Sequence, residues 1–74
     1  MNKLPVLSGD EIIKALCKIG FNIVGQKGSH VKLKKVNEKE LIVIVPKHKE
    51  VKKGVLLSIL KQAEINREEF MKLF

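Results

Sequence analysis

Seventy-four residues with fifteen lysines and arginines against eight carboxylates give a net charge of +7 and a pI near 9.8. That length allows one domain, 1–74, burying only ~60% of the surface its unfolded chain exposes. A hydrophobic content of 45% argues against a disordered chain, and the lone Cys17 excludes an intrachain disulfide, which suits a reducing cytoplasm. No N-terminal apolar run resembles a signal peptide and no stretch is long enough to span a bilayer, so no membrane association is expected.

After a lead-in over residues 1–7, where Pro5 disfavours an early helix, Ser8-Gly9-Asp10-Glu11 reads as a capping box with Ser8 as N-cap. Leu7 and Ile12 stand at the two positions of a hydrophobic staple, and Asp10 and Glu11 complement the helix dipole. Ile12, Ile13, Leu16, Cys17 and Ile19 recur at helical spacing with Lys14 and Lys18 outward, and Gly20 is placed to end the helix. Phe21 to Gln26 reads as a first strand and Lys27-Gly28 as the turn into a second, His30-Val31-Lys32-Leu33-Lys34-Lys35. Val36-Asn37-Glu38-Lys39 forms the next turn, and the run Leu41 to Val45, closed by Pro46, reads as a third strand. Lys47 to Lys53 is a basic loop. Val55, Leu56, Ile59, Leu60 and Ala63 mark a second helix from near Gly54. Asn66 with Glu69 repeats the capping pattern before a short terminal helix whose buried side would carry Phe70, Leu73 and Phe74.

This α-β-β-β-α order predicts an α+β fold, a three-stranded antiparallel meander with the helices packed on one face and the other face open. The third strand is apolar at every position, whereas a one-sided sheet needs apolar residues only at alternate ones. Its outward residues are either tolerated exposure or part of a face covered by a partner protein; the partner reading is preferred.

The charge is concentrated. Between Lys27 and Lys53 nine lysines stand against Glu38, Glu40 and Glu50, which leaves +6 of the +7 there. Such a surface favours a polyanion, with nucleic acid the first candidate and a merely solvated lysine-rich surface the alternative. Arg67 is the only arginine and lies outside the cluster. Lysine meets phosphate as a point charge, so this surface would hold a nucleic-acid backbone without reading base edges. Without Trp or Tyr, and with all three Phe in apolar patterns, a base-stacking platform is not expected. Lys52 and Lys53 at the start of the second helix either form an anion site with its free amides or only solvate the helix end.

Alternation along a strand puts His30, Lys32 and Lys34 on one face and Val31 and Leu33 on the other. One Cys and two His without clustered carboxylates give no metal-ligand spacing, no Gly-rich phosphate loop is present, and no cofactor is implied. A Ser-His-Asp triad fails because Ser29 adjoins His30 on a strand and points away from it, while Asp10 caps a helix. Acid–base work by histidine remains. RNA carries its own nucleophile in the 2′-hydroxyl, so its cleavage asks for proton transfer and positive charge beside the phosphate. His30 with Lys27, Lys32 or Lys34 meets that requirement, and His48 could supply a second proton-transfer group. A purely structural histidine is the competing reading.

Ser8-Gly9, Gly20-Phe21, Gln26-Lys27-Gly28-Ser29-His30, Val45-Pro46 with His48, Lys53-Gly54 and Ile59-Leu60-Lys61-Gln62-Ala63 together resemble the HicA family of toxin mRNA interferases over nearly the whole chain. The resemblance implies a double-stranded-RNA-binding-domain-like fold, endonucleolytic cleavage of mRNA independent of the ribosome, and neutralisation by a cognate HicB antitoxin; the cleavage is expected to be metal-independent. It makes His30 the catalytic residue. Lys27, Ser29, Lys32, Lys34, His48, Lys52 and Lys53 are the expected RNA-binding residues. The chain departs from the family at Lys49-Glu50-Val51, where glycines often follow the histidine, and at Glu64, where a glycine is usual after Gln-Ala. Neither departure touches His30. A non-catalytic RNA-binding module is the main rival, since the same element order suits recognition of duplex RNA by shape. A purely structural or protein-interaction domain is the third possibility.

Overall fold

The computed structural model describes residues 6–74, so the reading of Pro5 lies outside the described residues. Helix α1 (Gly9–Lys18) starts on the capping box: Glu11 N–H donates to Ser8 Oγ at 3.1 Å, and Ser8 N–H donates to Glu11 Oε1 at 2.9 Å. It ends in a Schellman closure. Gly20 takes φ +104°, and the amides of Gly20 and Phe21 return to the carbonyls of Cys17 and Leu16 at 3.3 and 3.2 Å. This closure turns the Phe21 side chain into the core, so the first strand begins one residue later than the sequence suggests.

Strands β1 (Asn22–Lys27), β2 (His30–Val36) and β3 (Glu40–Pro46) form one antiparallel sheet in the order β1-β2-β3, the expected meander. The first hairpin turns on Gly28-Ser29 rather than Lys27-Gly28, because Lys27 is already paired with His30. Gly28 has φ +60° at the first central position, as a type II′ connection requires. In the second hairpin Val36 stays in the sheet opposite Glu40, leaving residues 37–39 for the turn. β1 carries a bulge between Ile23 and Gly25, with Val24 as the extra residue.

Alternation divides the sheet as expected. Val31, Leu33, Val43 and Val45 are buried against Ile12, Leu16, Phe21, Leu56, Ile59, Leu60 and Phe70, forming one core between sheet and helices. His30, Lys32, Lys34 and Val36 of β2 face the other way with Ile42, Ile44 and Pro46 of β3 beside them. Helix α2 (Lys53–Ala63) starts one residue before Gly54, and α3 (Arg67–Met71) opens on the Asn66–Glu69 capping box. α2 runs along β3, the edge strand: Ile44 N–H donates to Gln62 Oε1 at 3.2 Å, giving an outward edge amide a partner.

Two further details differ from the sequence reading. Cys17 is exposed, and Ala15 joins the core instead. Both lie about 100° from Leu16 on the helix, and the fold covers only the Ala15 flank. Phe74 is also exposed, its ring edge-on to the buried Phe70 with centroids 5.2 Å apart. Among the described residues no helix is long and apolar enough to cross a membrane.

Candidate active site

His30 is the first residue of β2, delivered by the Gly28-Ser29 turn and paired with Lys27 on one side and Pro46 on the other. Both His30 and His48 are exposed, and no polar or charged side chain among the described residues is buried. Neither is therefore a core histidine.

The open face is not uniformly open. At its His30 end the 47–52 loop and α2 rise beside it and enclose a pocket of about 390 Å³. His30, Ile44 and Pro46 form its floor; His48, Glu50 and Lys52 come from the loop; Val55, Ser58, Ile59 and Gln62 line it from α2. The helical contributors fall at i, i+3, i+4 and i+7, one face of the helix. Gln62 is oriented by chemistry: an amide N–H can only donate, so the Ile44 bond fixes Oε1 toward the strand and leaves the two Nε2 hydrogens for other acceptors. The volume lies at the small end of the ~300–1,000 Å³ range of small-ligand sites.

Three backbone hydrogen bonds hold the loop that carries His48. Gly9 N–H donates to His48 O at 2.9 Å, Val51 N–H to Leu7 O at 2.7 Å, and Lys47 N–H to Ser29 O at 2.6 Å. The last ties the His30 hairpin turn to the loop. A Cβ built on Gly9 would stand 2.1 Å from Pro46 O and 2.8 Å from Lys47 Cα, so only glycine allows α1 this close. The sequence shows Gly9 as a helix-start residue; nothing in its local pattern announces its contact with a segment nearly forty residues away. Ser58, Glu50 and Gln62 were also not singled out as site residues, since helical spacing marks α2's core face and not the polar positions beside it.

Of the expected site residues, the structure brings His30, His48 and Lys52 onto the pocket. Lys27, Lys32 and Lys34 continue on the open face outside it, with alternate β2 positions ~7 Å apart. Lys53 opens α2 but does not line the pocket, and Ser29 belongs to the turn. Availability also differs. Lys34 pairs with Glu40, Lys39 with Glu64 at 2.8 Å and Lys47 with Asp10 at 3.8 Å. Among the described residues Lys27, Lys32, Lys52 and Lys53 form no ion pair. The hydrogen bond from Lys34 and its charge hold the Glu40 carboxyl below its ordinary value against an opposing desolvation, and Lys32 makes the least contribution. The helix start at Lys52 has no side-chain cap, so its first-turn amides stay available beside the lysines. No group of three His, Cys, Asp or Glu side chains able to hold a metal ion occurs among the described residues.

The family model described as HicA toxin of bacterial toxin-antitoxin matches residues 9–65, more than half of the chain. The chain belongs to the HicA toxin family. The HicA match opens at Gly9, the close-contact residue of α1, and ends at Ile65, whose amide closes α2 on Leu60 O at 3.1 Å. It takes in both histidines and every residue of the pocket, while α3 lies beyond it. A comparison with the curated proteins finds no match.

Proposed function

We propose that the chain is the toxin of a HicA/HicB pair and acts as an endoribonuclease on mRNA in the cytoplasm, with the whole of 1–74 working as one domain. The observation that carries this reading is His30 itself. In a chain of the toxin family, an exposed imidazole sits at the head of a strand whose same face continues into Lys32, with Lys27 across the hairpin.

RNA lies along the open face, its phosphates against Lys27, Lys32, Lys52 and Lys53, with Lys34 recruited when it leaves Glu40. Ser29 and His48 add hydrogen bonds near the scissile phosphate, and His30 transfers a proton there. Lysine supplies charge without base reading, which suits cleavage of many sequences. A HicB-type antitoxin covers the same face, seating on Ile42 and Ile44 (37% and 39% exposed) and masking His30. The reaction uses RNA's own 2′-hydroxyl as nucleophile and asks for no metal or cofactor.

The test is cleavage of a long single-stranded RNA by wild type and His30→Ala, both in EDTA. Fragmentation by wild type alone, with both proteins binding the RNA, is the expected result. Binding without cleavage by either protein would replace the enzyme with an RNA-binding module. Equal cleavage by both would remove His30 from the chemistry.

A further inference from the structure

We propose that His48 is the second proton-transfer group of this site, acting with His30 from the same pocket on one phosphodiester. The inference rests on the ribonuclease reading above. Cleavage through the 2′-hydroxyl forms the P–O2′ bond and breaks the P–O5′ bond. One proton must leave the 2′-hydroxyl and one must reach the departing 5′-oxygen. The products are a 2′,3′-cyclic phosphate and a 5′-hydroxyl, and no oxidant, reductant or water is consumed. A single imidazole can serve one end of this exchange at a time; two imidazoles facing one phosphate serve both.

The fold builds such a pair from distant parts of the chain. His30 comes from the start of β2 and His48 from the loop after β3, and both line one pocket. Their relative placement is set by backbone and not by their own side chains. Lys47 N–H donates to Ser29 O at 2.6 Å, so the residue before each histidine is bonded to the other's neighbour. Gly9 N–H holds His48 O at 2.9 Å, and a side chain on Gly9 would strike Pro46 O. The start of α1 and the His30 hairpin turn thus both grip the 46–48 segment, at Pro46, Lys47 and His48. Placement by rigid backbone is what acid–base pairs require, since proton transfer works only within hydrogen-bond reach. The charged groups facing the pair are Glu50 and Lys52 on the pocket wall beside His48, with Lys27 across the hairpin from His30 and Lys32 two residues along its strand.

The deciding experiment compares wild type, His30→Ala, His48→Ala and His48→Gln on an oligoribonucleotide spanning one mapped cleavage site. A matched substrate carries sulfur in place of the bridging 5′-oxygen. A thiolate leaves without being protonated, so loss of the general acid is repaired by the sulfur and loss of the general base is not. The expected result is that His48→Ala and His48→Gln each cleave the ordinary RNA about 10²–10⁴-fold more slowly, at saturating RNA and with an unchanged thermal midpoint, so that the loss exceeds any fall in RNA affinity. The sulfur substrate should restore the rate for one histidine position and not for the other. Wild-type rates in both His48 variants would overturn the proposal and leave His30 standing. A slow His48→Ala with neither position rescued, or with lowered RNA affinity accounting for the loss, would reduce His48 to a binding or structural role and overturn it too. Absence of cleavage by wild type would overturn both readings together.

Discussion

The amide of Gly9, first residue of α1, donates to the carbonyl of His48 at 2.9 Å, and no atom larger than hydrogen fits on the Gly9 Cα facing Pro46. The helix start and the histidine loop are therefore one mechanical unit. Ser8 completes it: its side chain caps the helix while its backbone lies between two tethers of the loop, Leu7 O to Val51 and Gly9 N–H to His48.

Gly9→Ala should accordingly injure fold and site together. The new methyl meets backbone at 2.1 and 2.8 Å, where relief requires moving α1 or the 46–48 segment. Overpacking of this kind costs ~1–3 kcal/mol, and for a domain of this size each kcal/mol lowers the melting midpoint by ~4–8 °C. On the proposed ribonuclease reading, RNA cleavage should fall even at temperatures where the variant remains folded. Gly54→Ala is the contrasting case. Nothing stands within 4 Å of its Cβ and its φ is ordinary for a helix, so stability should rise, by up to ~1 kcal/mol. Thermal unfolding of the two variants side by side checks both.

Helix α2 ends under strain that the sequence already hinted at. Glu64 occupies the left-handed region, φ 56° and ψ 42°, where the Schellman closure wants glycine: its amide returns to Lys61 O at 3.2 Å and that of Ile65 to Leu60 O. A left-handed non-glycine residue costs ~1–2 kcal/mol. The exposed ion pair to Lys39 offsets at most ~1 kcal/mol of that, and less in salt. Glu64→Gly should therefore stabilise the chain, with the larger gain at high ionic strength, and Glu64→Ala should not. Denaturant midpoints at two salt concentrations distinguish these outcomes.

The Lys34–Glu40 pair gives a pH dependence with a definite sign. Folding lowers the Glu40 carboxyl from its ordinary 4.5, chiefly through the Lys34 hydrogen bond. Its contribution to stability is complete above the unfolded-state value and is lost as pH falls through the folded one. Lys34→Met should move the Glu40 titration back up, followed by carboxyl carbon shifts in NMR. Glu40→Gln should release Lys34 to phosphate. RNA affinity should then rise at low salt, and the slope of log K against log salt should steepen by ~0.7 for one added single-strand phosphate contact. An unchanged slope would mean that Lys34 does not meet RNA.

Much of this architecture was legible because its signals are local. Both capping boxes, the glycine at position 20, the alternation from His30 to Lys34 and the helical spacing of α2's core residues are contained within a few residues each, and all appear where expected. The limits were reached where position depends on distant chain. Phe21 looked like strand and closes a helix; Cys17 and Ala15 lie symmetrically about the buried stripe, and only the packing chooses between them. The pocket is the extreme case. Its floor, loop and wall come from β2, β3, the 47–52 segment and α2, so its existence could not be read from any one stretch, although His30 and His48 could.

The last expectation concerns the outer face of β3. Ile42 stands beside Lys34 on the open face, outside the pocket, where it supports no part of the core. If an antitoxin seats on this face, Ile42→Asp should weaken that complex at least tenfold by setting an unpaired carboxylate in the contact. It should leave the fold intact and weaken RNA binding only modestly, through the reduced positive field. Phe74→Asp provides the control, because Phe74 is more exposed than Ile42 but lies on the helical side, against Lys14 and Lys18. Titration calorimetry of each variant with the proposed HicB-type antitoxin reads the difference directly. Equal weakening by both substitutions, or none by Ile42→Asp, would move the antitoxin contact off the open face.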